Sequence, residues 1–260
     1  MTATDGVRLW HIPVSHFSEK ARWALDLKGV EHERRAPLPG AHMAYALWLT
    51  RGRGSTFPLL ELDGDAIGDS SAIIAALEQR FPDAPLYPED PADRERALAL
   101  ERYFDSELGP YSRLFAFHLM RQDPEAIEMF ASGMLPAGAA RRPAIRRATG
   151  RVATSFVALR YGAGEDSEAE DARRRIEAVL DRLDSELADA GGDYLAGDRF
   201  SVADLTAASL FIPVVIPPEG PQLPPMPDAY ESWRAGLSAR PGYRWVAEMF
   251  RRHRADARRP

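Results

Sequence analysis

The sequence predicts a mixed α/β unit followed by an all-helical one, and three observations carry that prediction. Short apolar runs alternate with helical spacing from Val7 to Phe81. Four prolines then fall in the ten residues from Pro82 to Pro91, a composition that fits an extended linker rather than an element. Beyond them apolar residues recur at helical spacing. We therefore place the first unit at residues 1–85, a linker at 86–91 and the helical unit at 92–260.

Taken in order, Val7 to Ile12 is apolar enough for a strand, and Ser18 to Lys28 puts Ala21, Ala24 and Leu25 on one helical side. Glu31 to Arg35 is a polar strand candidate, and Ala41 to Leu49 a short helix. Phe57 to Leu62 reads as a buried strand, with Asp63-Gly64 as a hairpin turn before Ala66-Ile67. Asp69 to Phe81 is a helix with Ile73, Leu77 and Phe81 four residues apart. The order β-α-β-α-β-β-α describes a small mixed sheet with helices.

In the second unit Ala97, Leu100, Phe104 and Leu108 share a helical stripe, as do Ile176, Leu180, Leu183 and Leu187. Gly162 to Asp171 reads as an acidic, solvated connector. Phe200-Ser-Val-Ala-Asp-Leu205 is a helix start in which Ser201 caps and Asp204 reaches back. Tyr230 to Ser238 and Tyr243 to Arg252 are two further helices separated by Pro241. The arginine-rich end, Arg251 to Pro260, reads as a frayed tail, and Arg141 to Arg147 as a solvated helix face.

Composition narrows the function. The chain has 260 residues, 45% hydrophobic and 28% charged, and no cysteine. The last count excludes disulfides, thiolate metal sites and a cysteine nucleophile. The formal net charge of −6 argues against nucleic acid as a partner. Six histidines lack metal-site spacing, so no metal is expected. The most apolar run, Leu210 to Ile216, is short and broken by Pro213, which argues against a membrane span. We expect a cytoplasmic protein. Lys20 and Lys28 are the only lysines among 33 basic residues, a bias that reads as genome composition.

Three stretches are able to carry chemistry. His11 to Trp23 joins the first strand to the first helix, where Ser15 or Ser18 offers a hydroxyl beside open helix amides. Either serine also reads as a plain cap. Ser55-Thr-Phe57-Pro58 precedes a strand, and its X-Pro bond is either an ordinary trans link or a cis one that turns the Phe57 backbone outward. Asp69-Ser70 opens the next helix, a terminus suited to a carboxylate, with Asp69 available for an ammonium group. Tyr103, Phe104, Tyr111, Phe115 and Phe117 are mostly core, with one or two available to line an apolar pocket.

The order and spacing of these pieces resemble the cytosolic glutathione transferase family over nearly the whole chain. Asp69-Ser-Ser-Ala-Ile73 and Phe200-Ser-Val-Ala-Asp204 are the most specific parts of the likeness. The resemblance implies a thioredoxin-like first domain with a four-stranded mixed sheet, an all-α second domain, and a homodimer. It also implies glutathione as co-substrate, with Ser15 on its sulfur, Phe57 and the cis Pro58 beside it, and Asp69 and Ser70 at its γ-glutamyl end. Arg53 and His42 are candidates for the glycine carboxylate, and Ser18 shares the helix start with Ser15. The implied activity is attack of a glutathione thiolate on a small hydrophobic electrophile. The same fold also serves isomerases, lyases, dehalogenases, peroxidases and non-catalytic binding modules.

Overall fold

The computed structural model describes residues 6–37, 41–133, 135, 137–161 and 163–254. The first unit contains β1 (Arg8–Trp10), α1 (His16–Leu27), β2 (Glu33–Arg35), α2 (Ala41–Leu49), β3 (Leu59–Leu62), β4 (Asp65–Gly68) and α3 (Ser70–Arg80). The sheet order is β2-β1-β3-β4. β1 runs parallel to β2, with Leu9 beside Arg34, and antiparallel to β3, with Leu9 beside Leu60. Asp63 and Gly64 both have positive φ, 51° and 91°, as a tight two-residue hairpin requires.

Both Leu59 and Leu60 are buried because the sheet is covered on two faces. Leu9, Leu60 and Leu62 pack with α1 and α3 in the main core. Trp10, Phe57 and Leu59 meet Ala46 of α2 on the other face.

The second unit is helical: α4 (Pro91–Glu107), α5 (Gly109–Gln122), α6 (Pro124–Gly133), α7 (Ala137–Ala140), α8 (Pro143–Tyr161), α9 (Asp166–Ala190), α10 (Val202–Leu210), α11 (Ile212–Val215), α12 (Asp228–Leu237) and α13 (Pro241–Met249), closed by a π-helical turn at Phe250–Arg254. Asp90 starts α4 by accepting from the Ala92 and Asp93 amides at 2.9 and 3.1 Å. Gly109 lets α5 approach α1, since a Cβ there would lie 2.3 Å from the Phe17 ring. All of α10 is buried, and it packs against both α1 and α4, so one core runs through the sheet unit and the bundle.

The structure corrects three local expectations. The acidic connector is short: Asp166 and Glu168 form the first turn of α9, where the helix's partial positive charge favours carboxylates; Gly162 itself lies outside the described residues. Pro241 begins α13 instead of separating two helices, because a first-turn proline loses no helical hydrogen bond. The arginine-rich end is not simply frayed. Arg254 is fully buried, paired with Glu19 and Asp26; residues 255–260 lie outside the described residues.

Candidate active site

A cavity of about 950 Å³ lies between the two units. One side is built by Ser15, Phe57, Pro58, Asp69 and Ser70, all five residues singled out by sequence. The facing wall comes from α5, α6 and α8, through Phe117, Met129, Phe130, Val152, Ala153 and Phe156. Phe117 is thus the member of the aromatic stretch that faces the pocket, while Phe104 and Phe115 are core.

Ser15 is the N-cap of α1, and its Oγ accepts from the Ser18 amide at 3.2 Å. A hydroxyl that accepts in this way still has its proton to donate. Capping and a chemical role are therefore compatible at Ser15. Ser18 is different: it is fully buried, and its Oγ accepts from the Ile12 amide at 3.1 Å. Ser18 is absent from the cavity lining because the α1 twist turns it inward against the loop.

The Phe57–Pro58 bond is cis. Asp69 caps α3 from a backbone conformation of positive φ, 73°, and a single oxygen, Oδ1, accepts from both the Ser71 and Ala72 amides at 2.9 and 3.1 Å. Oδ2 is left for another donor. Ser70, 2% exposed, sits in the first turn beside it. Of the two residues proposed for a second carboxylate, His42 lines the cavity, with its ring 6.2 Å from Phe57, and burial and then the charge of Arg160 lower its pKa. Arg53 is exposed, donates to the Thr50 carbonyl at 3.1 Å and is not in the lining.

Sequence reasoning missed Lys20. Its ammonium is buried where α1, α3 and α4 meet, 2.8 Å from the Ser71 Oγ and from Asp105, and 2.9 Å from Glu101. This ties the Asp69–Ser70 corner to the Ser15 helix. Lys28, equally buried, pairs with Glu78 at 2.6 Å and donates to the Phe81 carbonyl at 2.9 Å. Two lysines in an arginine-rich chain were a usable signal, since an ammonium is a compact three-donor charge that fits where a guanidinium fork does not. Arg113 was also missed. Among the described residues lining the cavity it carries the permanent positive charge.

Two histidines flank the Ser15 loop, and both are held neutral. Burial and the charge of Arg113 push His16 down to about 3, and its Nε2 meets the Gly109 carbonyl at 3.0 Å. Burial and then Arg22 push His11 down to about 4, with its Nδ1 facing Arg22 at 2.6 Å. Depressed histidines lend stability that is complete above their unfolded value of about 6.5 and is lost as pH falls toward the folded values. Buried Asp204, pushed up to about 6 by desolvation, works the other way between its ordinary 3.8 and 6. Near pH 5 the two histidines outweigh the one carboxyl, so acid destabilises on balance. His16→Gln keeps a donor for the Gly109 carbonyl. It is expected to flatten the stability curve by about one proton between pH 6.5 and 4, measured by urea denaturation at stepped pH.

Family models decide the relationship. The N-terminal domain model of glutathione S-transferase matches residues 9–85, and the C-terminal domain model matches residues 143–242. The chain belongs to the glutathione S-transferase family. Among curated relatives, a probable maleylacetoacetate isomerase of Caenorhabditis elegans is 32% identical over 108 residues, 42% of this chain and 50% of that protein. The match thus spans about half of the relative's length. Two solved structures share the fold at 22% identity. A glutathione transferase of Phanerochaete chrysosporium matches with a TM-score of 0.63 over 96% of this chain and 97% of that one. A maleylacetoacetate isomerase of Methylobacterium extorquens, solved with malonate and glutathione bound, matches with 0.62 over 97% and 98%. As in the family, the N-terminal domain carries the four-stranded mixed sheet and the C-terminal domain is helical. Among the described residues no helix is long and apolar enough to cross a membrane, and no group of three or more His, Asp or Glu is placed to hold a metal.

Proposed function

We propose that this family member is a glutathione transferase that joins the glutathione sulfur to an apolar electrophile. The observation that carries the reading is the single cavity onto which Ser15, Asp69 and Ser70 open, opposite a wall of apolar side chains. Asp69 Oδ2 receives the γ-glutamyl ammonium, and Ser70 holds the neighbouring carboxylate. Phe57 and Pro58 flank the middle of the tripeptide, and His42 stands nearest its glycine end. At about 950 Å³ the cavity is at the upper end of the range for drug-sized ligands, which leaves room for a second molecule.

The chemistry asked of the protein is small. A free thiol titrates near 8.5, so glutathione is mostly protonated at neutral pH. The Ser15 hydroxyl donates to the sulfur once its proton has left for solvent. A hydrogen bond to a charged group contributes about 1.5–3 kcal/mol, which lowers the thiol pKa by roughly one to two units. The thiolate pair then forms a C–S bond, and the leaving group departs with its own bonding pair. Positioning by the two walls supplies the rest. Arg113, set in a mostly apolar wall, suits an electrophile that carries a negative group. The reading also takes the protein to be a cytoplasmic homodimer.

A second reading is an isomerase that adds the thiolate and later expels it. The two isomerases among the similar proteins favour it. Ser15, Asp69 and Ser70 act identically in both.

Calorimetric titration with reduced glutathione tests the shared part. Binding between micromolar and low millimolar is expected, weakened by Asp69→Ala and by Ser70→Ala in proteins that keep their circular dichroism. Absence of binding to the unmodified protein would overturn both readings. Mass spectrometry of products then separates them, since a transferase product retains glutathione and an isomerase product does not.

A further inference from the structure

The C-terminal turn is joined to the Ser15 loop by a continuous buried chain of charges. Trp23 of α1 packs on Phe250 with ring centroids 4.5 Å apart, and its Nε1 donates to the His253 carbonyl at 3.3 Å. This seats Arg254 beside α1. Arg254 Nε donates to Glu19 Oε1 at 2.6 Å, and its Nη1 donates to Asp26 Oδ2 at 2.6 Å. The other Glu19 oxygen, Oε2, accepts from Arg22 Nε at 2.6 Å. Arg22 spends its remaining nitrogens on the loop: Nη1 on the Ile12 carbonyl at 3.2 Å and on His11 Nδ1, and Nη2 on the Pro13 carbonyl at 2.9 Å. The Ile12 carbonyl also receives the Ser15 amide at 3.0 Å. Ile12, Pro13 and Ser15 all line the cavity.

Such a chain is a costly way to add stability. Taking charges out of water offsets most of what their attraction returns, and apolar side chains of similar size often serve a core as well. What the chain does supply is direction. A guanidinium fork held on one edge by a fixed carboxylate presents its other nitrogens at a set angle. Glu19 is fixed because it is shared between two arginines, one of them arriving from the far end of the sequence.

We propose that Glu19, Arg22 and Arg254 are positioning residues for Ser15, through which the C-terminal turn sets the loop that meets the glutathione sulfur. The inference rests on the transferase reading for its effect on the thiol, but its first consequence needs no ligand. Loss of Arg254 frees Glu19, Glu19 no longer orients Arg22, and residues 12–15 lose their two carbonyl anchors. The neighbouring charges that face the chain are Arg34, on Asp26 at 2.5 Å, and His32, 3.0 Å from Arg34; Arg34 acts on Arg22 and His11, and His32 on His11, through charge.

The test uses full-length protein carrying Arg254→Met, Arg254→Lys or Glu19→Gln, the last retaining shape if the first folds poorly. Hydrogen exchange without ligand is expected to quicken several-fold at the Ile12, Val14 and Ser15 amides in Arg254→Met and Glu19→Gln, with Arg254→Lys intermediate. With glutathione bound, thiolate absorbance against pH is expected to shift upward in the same order. Turnover at neutral pH should fall three- to tenfold and recover at alkaline pH, with the electrophile KM unchanged. Unchanged loop exchange would overturn the coupling even if stability drops. Faster loop exchange with an unmoved thiol titration would overturn the positioning role. If the unmodified protein binds no glutathione, the transferase reading falls, and the exchange result alone decides whether the C-terminus holds the loop.

Discussion

Replacing Ser15 by alanine is expected to slow turnover tenfold or more at neutral pH while the protein stays folded. The rate estimate follows from the hydrogen bond to sulfur. Losing about 1.4 kcal/mol of stabilisation of the thiolate is a factor of about ten, and the upper range of such bonds gives more. The fold is expected to survive because Ser15 contributes one capping bond, to the Ser18 amide, whose loss costs about 1 kcal/mol. Ser18→Ala is the control that separates the two serines. Its hydroxyl is buried against the Ile12 amide, so its removal leaves a buried donor and is expected to lower stability with a smaller effect on the thiol. Steady-state rates across pH beside thermal melts check both. A Ser15→Ala protein with unchanged rate and unchanged thiol titration would reduce Ser15 to a cap.

Asp204→Ala is expected to be the most damaging single change to the fold. The carboxylate is fully buried at the start of α10, and it accepts from the Leu195 amide at 2.8 Å, the Ser201 amide at 2.8 Å and the Ser201 hydroxyl at 2.7 Å. Alanine leaves these donors in the core of a helix that touches α1 and α4 at once. Each unsatisfied buried group costs about 1–3 kcal/mol, so a loss of about 3 kcal/mol or more is expected after partial relaxation. For a chain of this size that is roughly 6–12 °C in Tm. A shift below about 2 °C in a calorimetric scan would mean that water or a rearranged loop replaces the carboxylate.

Much of the fold was legible in the residues because its signals are short-range. Asp63-Gly64 dictates a hairpin from two positive φ angles, and Ser201 with Asp204 starts a helix from within four residues. The Ser201 hydroxyl accepts from the helix's first-turn amides, Ala203 among them, and Asp204 reaches back to the Ser201 amide, so the expected capping box is closed. Phe200 packs on Trp23 and His253, at 5.5 and 4.4 Å between rings. Of the site, Ser15, Phe57, Pro58, Asp69 and Ser70 were each nameable from a helix start or a strand entry. Ser15 and Ser18 were not separable, because burial alone distinguishes two hydroxyls three residues apart. The apolar wall was legible only as an aromatic stretch. Which of its rings faced a cavity depended on α6 and α8 packing over α5.

The sequence by itself determined the order of the elements in the first unit, the caps that start α1, α3 and α10, and the five residues on one side of the cavity. These are settled by interactions between neighbours in the chain, where spacing and residue type are nearly the whole of the physics. The tertiary structure alone decided the far wall, the burial of Lys20 and the fate of the C-terminal arginines. Arg254 and its partner Glu19 are 235 residues apart, and nothing local distinguishes Arg254 from the exposed Arg251 three residues before it. A charge enters a core only when the fold delivers a counter-charge to the same place, and that delivery is a property of the packed chain.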